Sequence, residues 1–153
     1  MKHVLQSLLL LICLCSTAFA SSIDYFLPKK FEVMDVIAEV KVLVVDKKYN
    51  ETLKLNELTC ECLVLRSFKG INEKQKLSVS FYIHEGPNVE IGSEHLVFAF
   101  NHTSGLRAFG GFSGLTPKGQ SYHNPTDEGY KKLSYSKLIE ELEKHSKRAN
   151  QSH

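Results

Sequence analysis

Cys60-Glu61-Cys62 is the sharpest chemical feature of this 153-residue chain, because two thiols one residue apart share one face of an extended strand. Their spacing there is about 6.6 Å, twice a strand rise of about 3.3 Å. A disulfide needs Cβ atoms nearer about 3.8 Å, so an unbroken strand would strain one. Three chemistries stay open for the pair: a soft-metal or redox thiol site, a local or intermolecular disulfide, and two apolar cysteines on a core face.

Other residue types able to do chemistry are scattered. His84, His95, His102 and His123, with Glu85, Glu90 and Glu94, supply further ligand types, yet none stands in His-x-x-x-His or Cys-x-x-Cys spacing. No cofactor is therefore expected. Gly111-Phe112-Ser113-Gly114-Leu115 approaches a nucleophile elbow, but Leu115 occupies the place of the final glycine and no strand-turn-helix pattern surrounds it. There is no phosphate loop and no dinucleotide fingerprint. Without a catalytic constellation the expectation is a non-enzymatic binding or interaction module, with a thiol or metal protein acting through Cys60 and Cys62 as the alternative. The binding residues expected are Phe109 and Phe112, on a glycine-rich loop, with Tyr122 and His123 beside them. The other reading of Phe109 and Phe112 is that both rings cap the barrel interior.

The N-terminus sets the compartment. Lys2 and His3 form a basic start, residues 4–15 are an almost unbroken apolar run, and Ala18-Phe19-Ala20 is a small-x-small cleavage site. Together they read as a secretory signal peptide cut after Ala20, which places the mature protein in the periplasm or outside the cell. Its removal takes away Lys2 and no acid, so 18 of the 19 Lys+Arg remain against 17 Asp+Glu. So small a net charge argues against nucleic acid as partner, and no later apolar run is long enough to cross a membrane. An exported or extracellular protein is the partner class that remains. Of four cysteines only Cys60 and Cys62 survive cleavage, too few for a disulfide framework. Asn50-Glu51-Thr52 and Asn101-His102-Thr103 fit the N-glycosylation pattern, which has meaning in a eukaryote.

The elements that must position these residues are mostly strands. After a polar lead-in at 21–30, Met34, Val36, Ala38, Val40, Val42 and Val44 hold one phase and predict a strand over 36–45. A polar connection at 46–50 lets the next strand, about 53–68, return antiparallel with Leu58, Cys60, Cys62 and Val64 on one face. Leu63 and Leu65 fall on the other, so its second half is expected to be covered on both sides. Leu77, Val79, Phe81 and Ile83 alternate with Ser78, Ser80 and Tyr82 in a third strand with one wet face. Residues 96–100 are continuously apolar, as in a strand buried on both faces. Five glycines among the fifteen residues 105–119 predict one irregular strand inside a long loop. Tyr135, Leu138, Ile139 and Leu142 stand at helical spacing and predict a helix from Ser134 to about His145. The whole is a single domain over 31–148 with a tail at 149–153: mainly β, a small antiparallel OB-like barrel of about five strands with a C-terminal helix across one end.

The order of features resembles the netrin-like, or tissue-inhibitor-of-metalloproteinases-like, OB-fold domain. The resemblance rests on Phe31 followed by Asp35-Val36-Ile37, on Val64-Leu65-Arg66-Ser67-Phe68-Lys69-Gly70, and on Ile91-Gly92-Ser93-Glu94-His95-Leu96-Val97-Phe98-Ala99, with Ser113-Gly114-Leu115-Thr116-Pro117 near the end of the barrel. It covers about residues 31–117. In that family, inhibition of metalloproteinases relies on a Cys-x-Cys start locked by disulfides. The mature start here is Ser21-Ser22-Ile23-Asp24, so the resemblance implies the fold and not that activity.

Overall fold

The computed structural model describes residues 31–52, 54–83, 89–108, 114–126 and 129–151. Residues 1–20, read above as a signal peptide, and the expected lead-in 21–30 lie outside them. Within the described residues the strands are β1 (Val36–Asn50), β2 (Leu55–Lys69), β3 (Lys76–Ile83), β4 (Glu94–His102), β5 (Gly105–Ala108), β6 (Leu115–Pro117), β7 (Tyr122–Thr126) and β8 (Gly129–Leu133). Helix α1 (Tyr135–Gln151) follows. Strands pair in the order β1-β2-β3-β5-β4, and β4 returns to β1. This closes a five-stranded, OB-like barrel, as the sequence pattern leads one to expect. One seam departs from the antiparallel expectation: β3 and β5 run parallel and meet at Ser80 and Arg107. The cause is topological. A closed ring with an odd number of strands cannot alternate direction all the way round.

Val36, Ala38, Val40 and Val42 of β1 and Leu58, Cys60, Cys62 and Val64 of β2 fill the barrel interior with Val79, Phe81, Val97 and Ala99. The phase expected of β1 breaks after Val42, where a bulge leaves Leu43 unpaired and turns Val44 outward, 46% exposed. β1 then runs on to Asn50 through the expected connection, pairing Asp46 with Thr59 and Asn50 with Leu55. A ribbon wet on both faces accepts polar residues, so alternation no longer marks where it ends. Two further bulges leave Leu65 and Phe68 of β2 unpaired.

A second core forms outside the barrel. Ile37, Phe68, Leu96 and Phe98 face out from β1, β2 and β4 and pack with Phe31, Met34, Tyr122 and with Leu138 and Leu142 of α1. That arrangement explains the unbroken apolar run of β4, whose residues alternate between the barrel and the helix. It also corrects two expectations: α1 lies along the outer side instead of across one end, and its cover stops short of Leu65, which is 38% exposed. α1 begins at the Ser134 cap, whose Oγ accepts from the Lys137 amide at 3.3 Å. It continues past His145 because no glycine or proline interrupts it before Gln151.

β5 and β6 lie on the same edge of β4, at Ala99↔Ala108 and Val97↔Leu115, so they are one strand broken by residues 109–113. The β7–β8 hairpin has no sequence signal, since residues 122–133 show neither alternation nor an apolar run.

The residues of the family resemblance pin the chain where the barrel begins. Lys69 Nζ donates to the carbonyls of Phe31 at 2.7 Å and Glu32 at 2.9 Å, closing the helical turn at 31–33. Asp35 Oδ2 accepts from the Asn101 amide at 2.6 Å. Gly70 has φ +74°, and a Cβ there would stand 1.8 Å from the Asp35 carbonyl oxygen.

Candidate functional site

The side of the barrel that α1 leaves open is built by register. Across β1, β2 and β3 the outward residues fall into rows: Lys41, Leu63 and Lys76; Val44, Glu61 and Ser78; Asp46, Thr59 and Ser80; Lys48, Glu57 and Tyr82. All are exposed or half-buried. Strand alternation produces this face, because Leu58, Cys60 and Cys62 take the inward positions between its β2 members.

Arg107 of β5 enters the face beside Ser80 and organises it. Its Nη2 donates to Glu57 Oε1 at 2.8 Å and to the Tyr82 hydroxyl at 3.0 Å. The guanidinium lies 4.5 Å from the Tyr82 ring centroid, and Nε donates to Ser104 Oγ at 3.3 Å. The Arg107 side chain is 16% exposed and that of Glu57 25%, so water screens the pair only in part. One side chain thus ties β2, β3 and β5 together at the seam that a single bridge closes. The chemistry offered is recognition: paired charges, hydroxyls and an aromatic ring with one face taken by the guanidinium. Arg and Tyr held in this way are the residue types that carry most energy in protein interfaces.

Of the expected contact residues, Tyr122 and His123 lie among the described residues, and Phe109 and Phe112 lie outside them. Tyr122 is 2% exposed and stacks on Phe98 with centroids 6.1 Å apart, so its ring belongs to the core beneath α1. Burial pushes its phenol pKa up. His123 is on β7, opposite Lys132. Sequence reasoning marked Ser78, Ser80 and Tyr82 as a wet face but missed Arg107 and Glu57. Only the parallel β3–β5 seam brings Arg107 to them, and no local pattern encodes that seam.

Cys60 and Cys62 are free thiols, each 1% exposed inside the barrel. The Cys62 thiol points to the Cys60 carbonyl at 3.9 Å. Burial pushes the Cys60 pKa up to about 11, and burial together with the neighbouring Cys60 pushes Cys62 to about 12. Both are therefore protonated and poor nucleophiles at neutral pH. Among the described residues no three His, Cys, Asp or Glu side chains are placed to hold a metal ion. His84 lies outside the described residues, and His102 is exposed at the β4–β5 turn, with Nδ1 2.9 Å from Ser104 Oγ. Of the two glycosylation candidates, Asn50 ends β1 half-buried and Asn101 is exposed near the end of β4. Among the described residues no helix is long and apolar enough to cross a membrane. Comparison with protein-family models, with curated proteins and with solved structures finds no match to this chain.

Proposed function

We propose that this chain is an exported, non-enzymatic binding module on a netrin-like OB barrel, and that it holds a protein partner on the open outer face of β1, β2, β3 and β5. The observation that carries the reading is the asymmetry of the barrel surface. One side is buried under α1, and the other is left uncovered by the described residues, with Arg107, Tyr82 and Glu57 already ordered by one another. Preorganised side chains lose little entropy on binding. Phe109 and Phe112, two and five residues after Arg107 in sequence, are proposed as further contact residues. Export rests on the signal-peptide pattern of residues 1–20. The netrin-like assignment rests on Asp35 and the Lys69-Gly70 turn, which hold the chain start as described above.

The test is affinity capture from the exported fraction with the wild type and with two variants, Thr59→Arg/Ser80→Arg on the face and Phe109→Ala/Phe112→Ala in the segment after β5. Circular dichroism and thermal unfolding serve as controls for folding. The face variant is expected to lose the protein that the wild type retains, and the phenylalanine variant to weaken its binding. Retention of every captured protein by both folded variants would place the binding surface elsewhere.

A further inference from the structure

We propose that His95 is an acid-sensitive latch, which holds the turn at 90–93 against β1 and releases it when the ring takes up a proton. His95 faces the barrel interior opposite Val40 and is 1% exposed, the one fully buried imidazole among the described residues. Its Nε2 lies 2.9 Å from Ser93 Oγ. Ser93 Oγ itself donates to the Glu90 carbonyl and accepts from the Glu90 amide at 3.3 Å, so the imidazole must be the donor and carries its proton on Nε2. Among the described residues Nδ1 has no partner and is left as a buried lone pair.

Ser93 is also the residue through which the connection grips the barrel. The Val42 amide donates to the Ser93 carbonyl at 2.9 Å, and the Gly92 amide donates to the Val42 carbonyl at 2.8 Å. Val89, just before this turn, is buried in the barrel core. A proton on Nδ1 creates a second N–H that faces no acceptor and a charge inside an apolar wall, which only exposure of the ring can hydrate. The turn at 90–93 is what must move to let water in.

The nearby charges do not offset this. On β1, Glu39 and Lys41 flank Val40 and lie on its opposite face, with Tyr135 bonded to Glu39. Glu94 is paired with Lys118, beyond the His95 partner Pro117 on β6. Glu90 is at the surface of the turn, and the other titratable groups of the interior, Cys60 and Cys62, stay neutral thiols. Burial accordingly lowers the His95 pKa from 6.5. The sign follows: below 6.5 the opened form binds the proton and the closed form resists it. The open-to-closed ratio therefore grows as pH falls, by up to about tenfold per pH unit.

The test is amide hydrogen exchange of the whole protein at about pH 7.5 and about pH 5, corrected for intrinsic rates, in wild type and His95→Gln, whose amide keeps a donor for Ser93 but cannot be protonated. In wild type the Gly92 and Val42 amides are expected to lose protection at the lower pH, by a factor of up to about 30, while Cys62 and Val64 in β2 keep theirs. The variant is expected to lose that dependence. Nitrogen NMR of the wild-type imidazole decides the matter even if the variant does not fold: proton uptake at Nδ1 must coincide with the loss of Gly92 protection. An imidazolium formed with protection unchanged, or the same pH dependence in the variant, overturns the latch.

Discussion

Gly70 shows how much a single position can carry in this barrel. Its left-handed φ costs any other residue about 1–2 kcal/mol, and a side-chain carbon there meets a backbone oxygen that cannot swing aside. Gly70→Ala is expected to lower stability by more than about 2 kcal/mol in urea unfolding, against about 1–2 kcal/mol for Gly119→Ala at the open β6–β7 turn, where the positive φ is strained but nothing stands within 4 Å of an added carbon. The cysteines give the second residue-scale prediction. Because burial raises both thiol pKa values, each folded-state proton is held above pH 9, where unfolded thiols ionise. The thiol contribution to stability should therefore be constant below about pH 9 and fall at higher pH, with a slope of up to about 1.4 kcal/mol per unit for each thiol. Cys60→Val and Cys62→Val remove that slope if burial is its cause. The same burial predicts that labelling by a disulfide reagent at about pH 8 is at least 100-fold slower in the folded protein than in urea. Fast labelling of the folded form would return the pair to the list of reactive sites. The inward phase of Cys60 and Cys62 was legible from Leu58 and Val64 on either side, whereas the buried place of Tyr122 was not, because its partners Phe98 and Leu138 are distant in sequence.

At the scale of elements, the weakest link of the barrel is the β3–β5 seam, which has one backbone bridge between Ser80 and Arg107. Arg107 reinforces it with its bonds to Glu57 and Tyr82. Arg107→Leu removes a charge-assisted bond and leaves Glu57 partly buried without its cation, at an expected cost of about 2 kcal/mol. Exchange of the Ser80 and Arg107 amides should accelerate while the Val42 amide, which donates to the Ser93 carbonyl on the other edge of β1, stays protected. Uniform acceleration would mean that Arg107 supports the whole fold and not the seam. Opposite this seam, α1 is fastened by polar as well as apolar contacts. Tyr135 donates to Glu39 at 2.7 Å, and Arg66 pairs with Glu39 and with Glu143 while lying 5.3 Å from the Phe68 ring centroid. Strands and helix were legible because their periods are local. Bulges at Leu43, Leu65 and Phe68 were not, since each is a property of two strands whose mismatch appears only on pairing. The β7–β8 hairpin was missed for the same reason: its order comes from backbone pairing and not from an apolar period.

At the scale of the molecule, two cores on opposite sides of β1 and β4 leave one broad barrel face that no described residue covers, and that uneven division of the surface underlies the proposed binding role. The barrel class followed from the count of strands and the run of β4. The site did not, because it is assembled from Glu57, Tyr82 and Arg107, which lie up to 50 residues apart and meet through one parallel bridge. The most direct measurement is site-specific photo-crosslinking in the producing cells, with a photoreactive amino acid replacing Ser80 on the open face or Glu140 on the exposed side of α1. The account predicts a discrete protein adduct from position 80, lost on Thr59→Arg substitution, and none from position 140. Adducts from position 140 alone, or none from either position in correctly exported and folded protein, would contradict it.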